Sequence, residues 1–291
     1  MEYSFYPGCT YHATSREYGE STMAVLKKIK LSDSEGVEFT ELDNWNCCGA
    51  LETTTLSHKL ATAVPARNLA IAAKRNKPLA MICNACFYNH QKVNKELEEN
   101  EQLKAEVSRI IGQEIKPVVI KHFLEILVRD IGVENIARAV EVPLGKLKVA
   151  PYYGCTLLRP SKVNAVDDHH NPSVLESLID ALDGDPVKYS YRTKCCGGSL
   201  IATNENIAHE MTVKIIDSAK NAGAQCIVTI CPLCQMALET IYLKEEKKRG
   251  IKFNMPVLYF TQLMGIAFGL ERKELGLHRN FIANESLLDS R

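Results

Sequence analysis

Short apolar, β-rich stretches alternate along the chain with longer stretches whose apolar residues recur at helical spacing. The short stretches predict strands at residues 3–7, 37–42, 79–83 and 118–120, and again at 147–153, 186–191, 226–230 and 257–260. Helical periodicity is clearest at residues 57–76 and 204–223, and the second stretch ends in Gly223, which suits a helix C-terminus. Alternating strands and helices need crossover connections, so the pattern predicts an α/β fold with mostly parallel, Rossmann-like sheets flanked by helices.

The two halves of this pattern carry the same arrangement of cysteines. Each half has a single cysteine, an adjacent pair closed by glycine and a CxxC motif: Cys9, Cys47, Cys48, Cys83 and Cys86, then Cys155, Cys195, Cys196, Cys231 and Cys234. In both halves 34 residues separate the pair from the CxxC motif, and the leading gaps are 37 and 39 residues. We therefore predict two pseudo-symmetric modules, residues 1–143 and 144–291, the second with a polar C-terminal tail.

The predicted strands indicate where these cysteines gather. The single cysteine, the pair and the first cysteine of each CxxC motif follow a strand, so we expect them at the carboxyl edge of one sheet per module. We expect each to begin a helix, whose free N–H groups favour an anionic ligand, with Pro232 in the first turn after Cys231. Gly49, Gly197 and Gly198 would let the backbone turn beside the pairs. Residues 89–113 predict one extended, charged surface helix.

Composition narrows the class of protein. The 46% hydrophobic and 24% charged content is typical of a globular chain, and the formal net charge of zero gives no reason to expect nucleic acid or an anionic membrane surface. The N-terminus has no secretory pattern, and the apolar run near residue 257 is too short to span a bilayer. We expect a cytoplasmic protein without membrane insertion, in which eleven cysteines indicate metal or redox chemistry rather than disulfides.

The adjacent pairs and the count of five cysteines per module indicate which kind of metal site the cysteines form. Neighbouring cysteines bond to each other only with strain, and in extended backbone their thiols point to opposite faces. A tetrahedral zinc site or a cubane [4Fe–4S] cluster takes four thiolates and leaves one over. A cluster with more than one kind of iron environment could use all five, so iron–sulfur is favoured over structural zinc, although CxxC spacing suits both.

Six stretches carry a resemblance to a known family. The stretches "FYPGCTYHATSREY", "NWNCCGALE", "MICNACF", "PYYGCTLLRP", "KCCGGSL" and "ICPLCQ" resemble the duplicated CCG modules of the heterodisulfide reductase family, in particular its B subunits from methanogens. The resemblance covers nearly the whole chain. It implies two noncubane [4Fe–4S] clusters, the first held by Cys9, Cys47, Cys48, Cys83 and Cys86 and the second by Cys155, Cys195, Cys196, Cys231 and Cys234. It also implies that these clusters split the coenzyme M–coenzyme B disulfide into two thiols in methanogenesis.

The same resemblance implies partners. These are the small iron–sulfur C subunit, the flavin-containing A subunit and a hydrogenase or formate dehydrogenase, in a flavin-based electron bifurcation complex. The chain itself has no GxGxxG after a strand and no CxxCxxCxxxCP run, so electrons would arrive from a partner. Two other functions stay open: a CCG electron-transfer subunit of another oxidoreductase, such as lactate or glycolate oxidation or thiol:fumarate reduction, and a zinc-stapled scaffold without turnover.

Several residues near the cysteines are candidates for substrate contacts. The family's substrate is anionic, so Arg or Lys beside the clusters would bind it. The candidates are Arg159, Arg192 and Lys194, with Arg16 and Lys162 also near cysteine motifs, and His12 as a proton donor. A solvated surface charge or a structural histidine explains each of them as well.

Three other features have a structural interpretation. Cys226 has no counterpart in the first module and is predicted to be a buried core thiol. Trp45 is expected to shield the first cluster from water. The stretch "DDHH" at residues 167–170 could bind a divalent cation, but a polar loop before a helix is the simpler interpretation.

Overall fold

The computed structural model describes residues 1–31, 36–50, 52–159, 163, 166–250, 252 and 255–282. Lys162 and the predicted polar tail beyond residue 282 lie outside the described residues. The first half contains β1 (Glu2–Tyr6), α1 (Arg16–Lys28), β2 (Glu38–Glu41), α2 (Thr53–Leu56), α3 (His58–Ala73), β3 (Leu79–Met81), α4 (Asn84–Glu99), α5 (Glu101–Ile111), β4 (Ile120–His122), α6 (Phe123–Glu125), a π-helical turn (Ile126–Gly132) and α7 (Val133–Arg138).

The second half repeats this order in shorter form. It contains β5 (Lys148–Tyr152), α8 (Val174–Ala181), β6 (Asp185–Pro186), a 3₁₀ turn (Gly198–Leu200), α9 (Glu205–Asn221), β7 (Cys226–Thr229), α10 (Pro232–Arg249), β8 (Val257–Tyr259), α11 (Phe260–Ala267) and a second 3₁₀ turn (Leu277–Arg279). Pro232 is in the first turn of α10, and Gly223 just after α9 has a φ of +85°, both as predicted.

Two four-stranded sheets confirm the predicted fold class. Their strand orders are β2-β1-β3-β4 and β6-β5-β7-β8, and every described pairing is parallel. Helices cover parallel sheets on both faces, which is why central strands such as β3, with Leu79, Ala80 and Met81 fully buried, read as short apolar runs without alternation. Because the strand order is the same in both sheets, the carboxyl ends of β1 and β3 are arranged in the first sheet as those of β5 and β7 are in the second.

Two sequence-based element predictions need correction. The strand expected at residues 186–191 is reduced to Asp185–Pro186, because the chain turns back so that the Tyr153 N–H donates to the Arg192 carbonyl at 3.0 Å. The single extended helix expected at residues 89–113 is two helices. Asn100 has an extended backbone between them, and its side chain caps α5 by accepting a hydrogen bond from the Leu103 N–H.

The halves share one core. Helix α1 of the first half packs on α11 of the second: the rings of Tyr18 and Tyr259 stack at 4.1 Å, and the hydroxyls of Ser21 and Thr261 are 2.6 Å apart. One continuous cluster of buried apolar side chains includes residues of both helices and of α8. The connection around the predicted boundary at residue 143 is hydrogen-bonded to the end of α11, since the N–H groups of residues 141 and 142 both donate to the Ala267 carbonyl at 2.9 Å. The modules are therefore joined by packing that their separate patterns did not indicate.

Candidate functional site

The ten repeated cysteines lie at the carboxyl ends of the strands in both sheets. Cys83 and Cys231 are the N-terminal capping residues of α4 and α10, and Cys86 and Cys234 follow in the first turns. The expectation that every cysteine group begins a helix is wrong for Cys9 and Cys155, which lie in turns after β1 and β5. The adjacent pairs lie in loops, the first before the four-residue helix α2 and the second before the 3₁₀ turn.

A tyrosine at the end of a central strand positions each adjacent pair. The Tyr6 hydroxyl donates to the Asn46 carbonyl at 2.9 Å, and the Tyr152 hydroxyl donates to the Lys194 carbonyl at 2.7 Å. Each accepting carbonyl belongs to the residue directly before the pair, so the two loops are held to their sheets in the same way. This role was not predicted from the sequence, although the repeated "FYPGC" and "PYYGC" motifs contain both tyrosines.

Glycines leave room for the last thiol of each group. Gly8 and Gly154 have φ values of +76° and +71°, and a Cβ atom on them would lie 3.2 Å from the Cys86 Sγ and 3.0 Å from the Cys234 Sγ. Gly49 and Gly197 have positive φ beside the pairs, as their predicted turns require. A Cβ on Gly198 would instead meet the Leu233 side chain at 2.8 Å, so close packing explains this glycine.

The thiols of each half interact in a continuous chain, and the two chains meet. Hydrogen-bonding interactions run through Cys9, Cys47, Cys48, Cys86 and Cys83, and through Cys155, Cys195, Cys196, Cys234 and Cys231. The Sγ atoms of Cys196 and Cys234 are 3.6 Å apart. Cys83 interacts with Cys231, which joins the two groups into one set of ten. We call these groups of five the first and second quintets.

The pKa values of the adjacent pairs follow the same order in both quintets. Hydrogen bonds from Cys48 and then Cys9 lower the pKa of Cys47 to about 2, and hydrogen bonds from Cys155 and then Cys196 lower the pKa of Cys195 to about 2. The hydrogen bond to the neighbouring thiolate raises the pKa of Cys48 to about 11 and that of Cys196 to about 12. In each pair the surroundings of the first thiol favour the thiolate, which is the form that binds iron or zinc.

Polar contacts between the halves hold the quintets together. The buried Tyr18 hydroxyl contacts the carbonyls of Ile82 and Ile230, at 2.9 Å and 3.2 Å. These carbonyls directly precede Cys83 and Cys231 in equivalent positions of the two sheets. The Asn84 side chain also donates to the Tyr153 carbonyl at 3.0 Å. One tyrosine on α1 thus bridges the ends of β3 and β7 where the quintets meet.

A cavity of about 330 Å³ lies over the first quintet. All five of its thiols line the cavity, together with the N-terminal half of α10 from the second half of the chain, Glu17 of α1, Arg279 and Phe281. Glu239 and Gln235 of α10 are almost fully buried in this wall, and the Gln235 Oε1 has no hydrogen-bond partner among the described residues. The cavity therefore combines thiols with one guanidinium, two carboxyl groups and an unpaired amide oxygen.

Arg279, Glu17 and Glu239 were not predicted as site residues from the sequence. Each is distant along the chain from the first-quintet cysteines that it approaches, except Glu17, which follows Cys9 by eight residues. The spacing of residues within each module does not indicate that α10 of the second half covers the thiols of the first quintet.

The predicted substrate residues Arg159, Arg192, Lys194 and His12 are all described, and none of them lines this cavity. Arg159 and Lys194 are exposed near the second quintet. Arg192 is mostly buried and binds Glu176 and Asn171, so its guanidinium is already engaged. The His12 Nε2 is 3.0 Å from Glu41 Oε1, and its side chain is 55% exposed. Arg16 lies with His12 along a surface groove.

The three features with structural interpretations can also be located. Cys226 is fully buried in β7, which confirms the predicted core thiol, and none of the eleven cysteines, all within the described ranges, forms a disulfide. Trp45 packs edge-on against Tyr6 at 5.5 Å, which places it one ring away from the first quintet. Asp167 and Asp168 accept backbone hydrogen bonds before and at the start of α8, which agrees with a polar loop.

The donor set fits iron–sulfur chemistry. It consists of thiols alone, most of them buried, beside glycines whose missing Cβ atoms leave space at the sulfurs. Over the described ranges, no group of three or more Cys, His, Asp or Glu is arranged to hold a metal ion. A polynuclear cluster needs thiolates spread over several metal atoms, which a chain of five sulfurs provides.

Fold and site together define a duplicated cysteine-rich α/β protein. The cysteine-rich CCG domain matches residues 3–90 and 149–239, so the chain belongs to this family. It is 32% identical to the 8-methylmenaquinol:fumarate reductase membrane anchor subunit of Wolinella succinogenes over 97% of each chain. It is 28% identical to the B subunit of the ferredoxin/F(420)H(2)-dependent CoB-CoM heterodisulfide reductase of Methanosarcina acetivorans, over 98% of this chain and 95% of the relative. The family resemblance inferred from the motifs is confirmed.

Among solved structures, the fold is similar to a hypothetical protein from Helicobacter pylori. The TM-score is 0.71 at 14% identity, and the match covers 97% of this chain and 52% of that one. At this identity the likeness shows the fold alone, and the chain spans about half the length of that protein. In the portion of the chain that the structure describes, no helix has both the length and the apolar character to cross a bilayer.

Proposed function

We propose that the chain is the disulfide-reducing subunit of a heterodisulfide reductase, acting on a disulfide of the coenzyme M–coenzyme B type and yielding two thiols. Each half, residues 1–143 and 144–291, would hold one noncubane [4Fe–4S] cluster through its quintet of cysteines. The proposal extends what the relatives' names say of those proteins to this chain, and the described site supports it through its thiol-only donors and its symmetry.

The meeting of the two quintets carries the proposal: the Tyr18 hydroxyl bridges the Ile82 and Ile230 carbonyls, which directly precede Cys83 and Cys231. Reduction of a disulfide takes two electrons, and an iron–sulfur cluster usually transfers one at a time. When bound, the two clusters would each supply one of the electrons that split the S–S bond. Two quintets that meet at a single point offer one substrate both sites at once, whereas separated quintets would not.

The chain's own residues bind and orient the substrate. The cavity over the first quintet brings a disulfide to the thiol edge. Arg279 at its wall pairs with Glu20 only at 3.3 Å in an exposed contact, unlike the buried Arg192–Glu176 pair, so its guanidinium is placed to pair with an anionic group of the substrate as well. The apolar side chains of Met236 and Phe281 line the same cavity and exclude water from the sulfur atoms. Arg159, Lys194 and His12 remain predictions for contacts at the outer edge of the site.

Electrons would come from partner subunits. The sequence has no flavin-binding or ferredoxin-like motif, so the chain needs a donor. We propose an iron–sulfur C subunit and a flavin-containing A subunit, linked to a hydrogenase or formate dehydrogenase. In this arrangement the cysteine turns after β1 and β5 are the natural points of approach, because Cys9 and Cys155 are less buried than the CxxC cysteines.

The test is to count iron and sulfide after anaerobic purification of the wild type and of Cys48→Ala and Cys196→Ala. Each variant should keep about half of the wild-type iron and lose disulfide reduction by about 10³-fold or more, because the two sites act as a unit. Paramagnetic resonance after thiol addition should show a new signal in the wild type. Cys226→Ala is the matched control, since this buried thiol belongs to neither quintet.

Two results would contradict the proposal. One is an iron-free wild type that contains zinc, which is expected of a scaffold. The other is full disulfide turnover in a variant that has lost one half of its iron, because one site would then be sufficient.

The 32% identical relative favours a second candidate, an electron-transfer subunit that works between a quinol and fumarate. The two candidates differ in the substrate that exchanges electrons with the thiol-bound site. Mixing the reduced protein with a heterodisulfide or with a menaquinone analogue, and following cluster absorption, separates them. Rapid reoxidation by the disulfide alone supports the first candidate, and reoxidation by the quinone alone supports the second.

A further inference from the structure

Glu239 is a buried carboxyl group in the wall of the cavity over the first quintet. It is 3% exposed, and it lies on α10, two turns after Cys231. Its Oε1 accepts a hydrogen bond from the Ile282 N–H at 3.3 Å. In the described part of the chain, no Lys, Arg or His forms an ion pair with it. A carboxyl group buried without a cation is costly as an anion, so this position favours the neutral acid.

The groups that face Glu239 from neighbouring elements do not supply a compensating charge. Glu17 of α1 lines the same cavity and is itself a carboxyl group, whereas Arg279 pairs with Glu20 at 3.3 Å. Tyr259 of β8 is a neutral phenol at neutral pH. Burial raises the pKa of Glu239 to about 7, and the nearby Glu17 acts in the same direction. The acid is therefore close to half-protonated under ordinary conditions, as a proton donor requires.

The Gln235 side chain, one turn before Glu239 on α10, contacts the Glu239 carboxyl, and its Oε1 accepts no hydrogen bond from the described residues. A buried amide oxygen without a partner costs free energy, and the O–H of the protonated Glu239 or a ligand's N–H or O–H group would satisfy it. The acid thus lies in the wall of a cavity whose lining also includes the five thiols of the first quintet.

We propose that Glu239 is the proton donor to one of the two product sulfurs, an inference that rests on the proposed reduction of a disulfide at this site. The overall reaction takes up two electrons and two protons, breaks one S–S bond and forms two S–H bonds. The electrons come from the iron–sulfur donor subunit. The Glu239 carboxyl gives its proton to the sulfur released over the first quintet, and the resulting carboxylate takes a proton back from water.

The donor serves only one of the two sulfurs. Eight residues after the first cysteine of the CxxC motif, the second module has Glu239 and the first has Gln91. Gln91 cannot donate a proton in this pH range, and its Nε2 donates to the Ile120 carbonyl at 3.4 Å. The position beside the second quintet that corresponds to Glu239 therefore offers no proton donor, which makes the two product releases unequal.

The experiment compares the wild type with Glu239→Gln in the iron-loaded protein. The wild-type kcat should fall as pH rises through the pKa of the acid. Glu239→Gln should lower kcat by about 10²-fold or more and remove this pH dependence, with KM little changed. Glu239→Asp, which keeps a carboxyl group, should retain part of the rate and a pH dependence. Glu246→Gln is the matched control on the same helix, because Glu246 pairs with Lys252 and does not line the cavity.

A measurement without turnover completes the test. Infrared titration should show a carboxylic acid band that disappears near neutral pH in the wild type and in Glu246→Gln, and that is missing in Glu239→Gln. An active wild type whose Glu239→Gln variant keeps the same rate and pH profile overturns the inference and leaves the proposed function intact. A missing band in the wild type overturns it as well. An iron-loaded wild type that reduces no disulfide overturns both.

Discussion

The two quintets are built alike, but their surroundings differ. In both, a strand-end tyrosine holds the adjacent pair, a glycine leaves room for the last thiol, and the first thiol of the pair carries the lowered pKa. Around the first quintet, Cys9 and Cys47 are exposed and a cavity opens over all five thiols. Around the second, Cys155 and Cys195 are half-buried beside a loop that the Arg192–Glu176 ion pair fastens. Duplication has thus produced equal donor sets with unequal access.

This difference separates the binding of the clusters from the binding and reaction of the substrate. Holding a cluster depends on features that the halves share, so equivalent substitutions should have equivalent effects on iron content. Handling the substrate depends on features that only one half has, so equivalent substitutions there should differ.

Apart from the cysteines themselves, the largest effect on iron content is expected from the glycines beside the last thiols. Gly8→Ala and Gly154→Ala should each remove about half of the bound iron and lower disulfide reduction by about 10²-fold or more, because the added Cβ would press on Cys86 or Cys234. Gly223→Ala is the control: its φ is also positive, but a Cβ on it would have no atom within 4 Å. Iron content that stays full in both site variants would show that these glycines serve the backbone alone.

Arg279→Gln should affect the substrate and not the metal. We expect KM for an anionic disulfide to rise about 10-fold, equivalent to about 1.4 kcal/mol, with iron content unchanged. Arg159→Gln and Arg192→Gln test the residues predicted from the sequence, and their KM values should change less because neither lines the cavity. A larger rise in KM for Arg159→Gln than for Arg279→Gln would move the anion site to the second half.

Tyr6→Phe and Tyr152→Phe test the shared positioning of the pairs. Each removes one hydroxyl donor and leaves a backbone carbonyl without it, at a cost of about 2 kcal/mol in the free energy of unfolding. The two losses, measured by chemical denaturation, should agree within error. A loss confined to one variant would show that the two loops are held differently.

The smallest expected effect concerns a titratable group present in one half only. His122 ends β4, whereas Tyr259 ends the equivalent β8, and burial lowers the pKa of His122 to about 3. The unfolded histidine takes up a proton below its ordinary pKa of 6.5, but the folded one does not, so stability falls as pH drops below about 6.5. Between about pH 6.5 and 5.5 the loss from this group is about 1 kcal/mol.

His122→Asn should remove that contribution while keeping an acceptor for the Leu124 N–H at the start of α6. The measurement is the slope of the unfolding free energy against pH, compared with the wild type. An unchanged slope would mean that other buried groups account for the acid sensitivity.

Sequence patterns predicted the parts of the site that are local. Strand ends, the gathering of the cysteines and the buried position of Cys226 follow from periodicity within a few residues of each motif. Gly49 and Gly197 also follow from their places in turns. The break at Asn100 was predictable in principle, because asparagine followed by an acidic first turn is a helix start, but the charged composition on both sides hid it.

The missed parts depend on how the halves dock. Arg279, Glu239 and Tyr18 reach the thiols only because α10 covers the first quintet and α1 packs on α11. No spacing rule encodes such contacts between distant segments. For Arg192 the sequence showed a charge near a cysteine pair, and it could not show that Glu176 already neutralises that charge.

Because α1 packs on α11, the chain cannot be divided into its repeats without exposing apolar surface. Expression of residues 1–143 and 144–291 as separate fragments would leave Tyr18 and Val25 on one fragment and Tyr259 and Leu263 on the other. Each fragment would then expose an apolar surface. We expect each fragment to associate through this face, since burial of the apolar surface favours pairing. Within one chain the two repeats are held together at any concentration, and each can carry side chains that the other lacks, as Glu239 and Gln91 show.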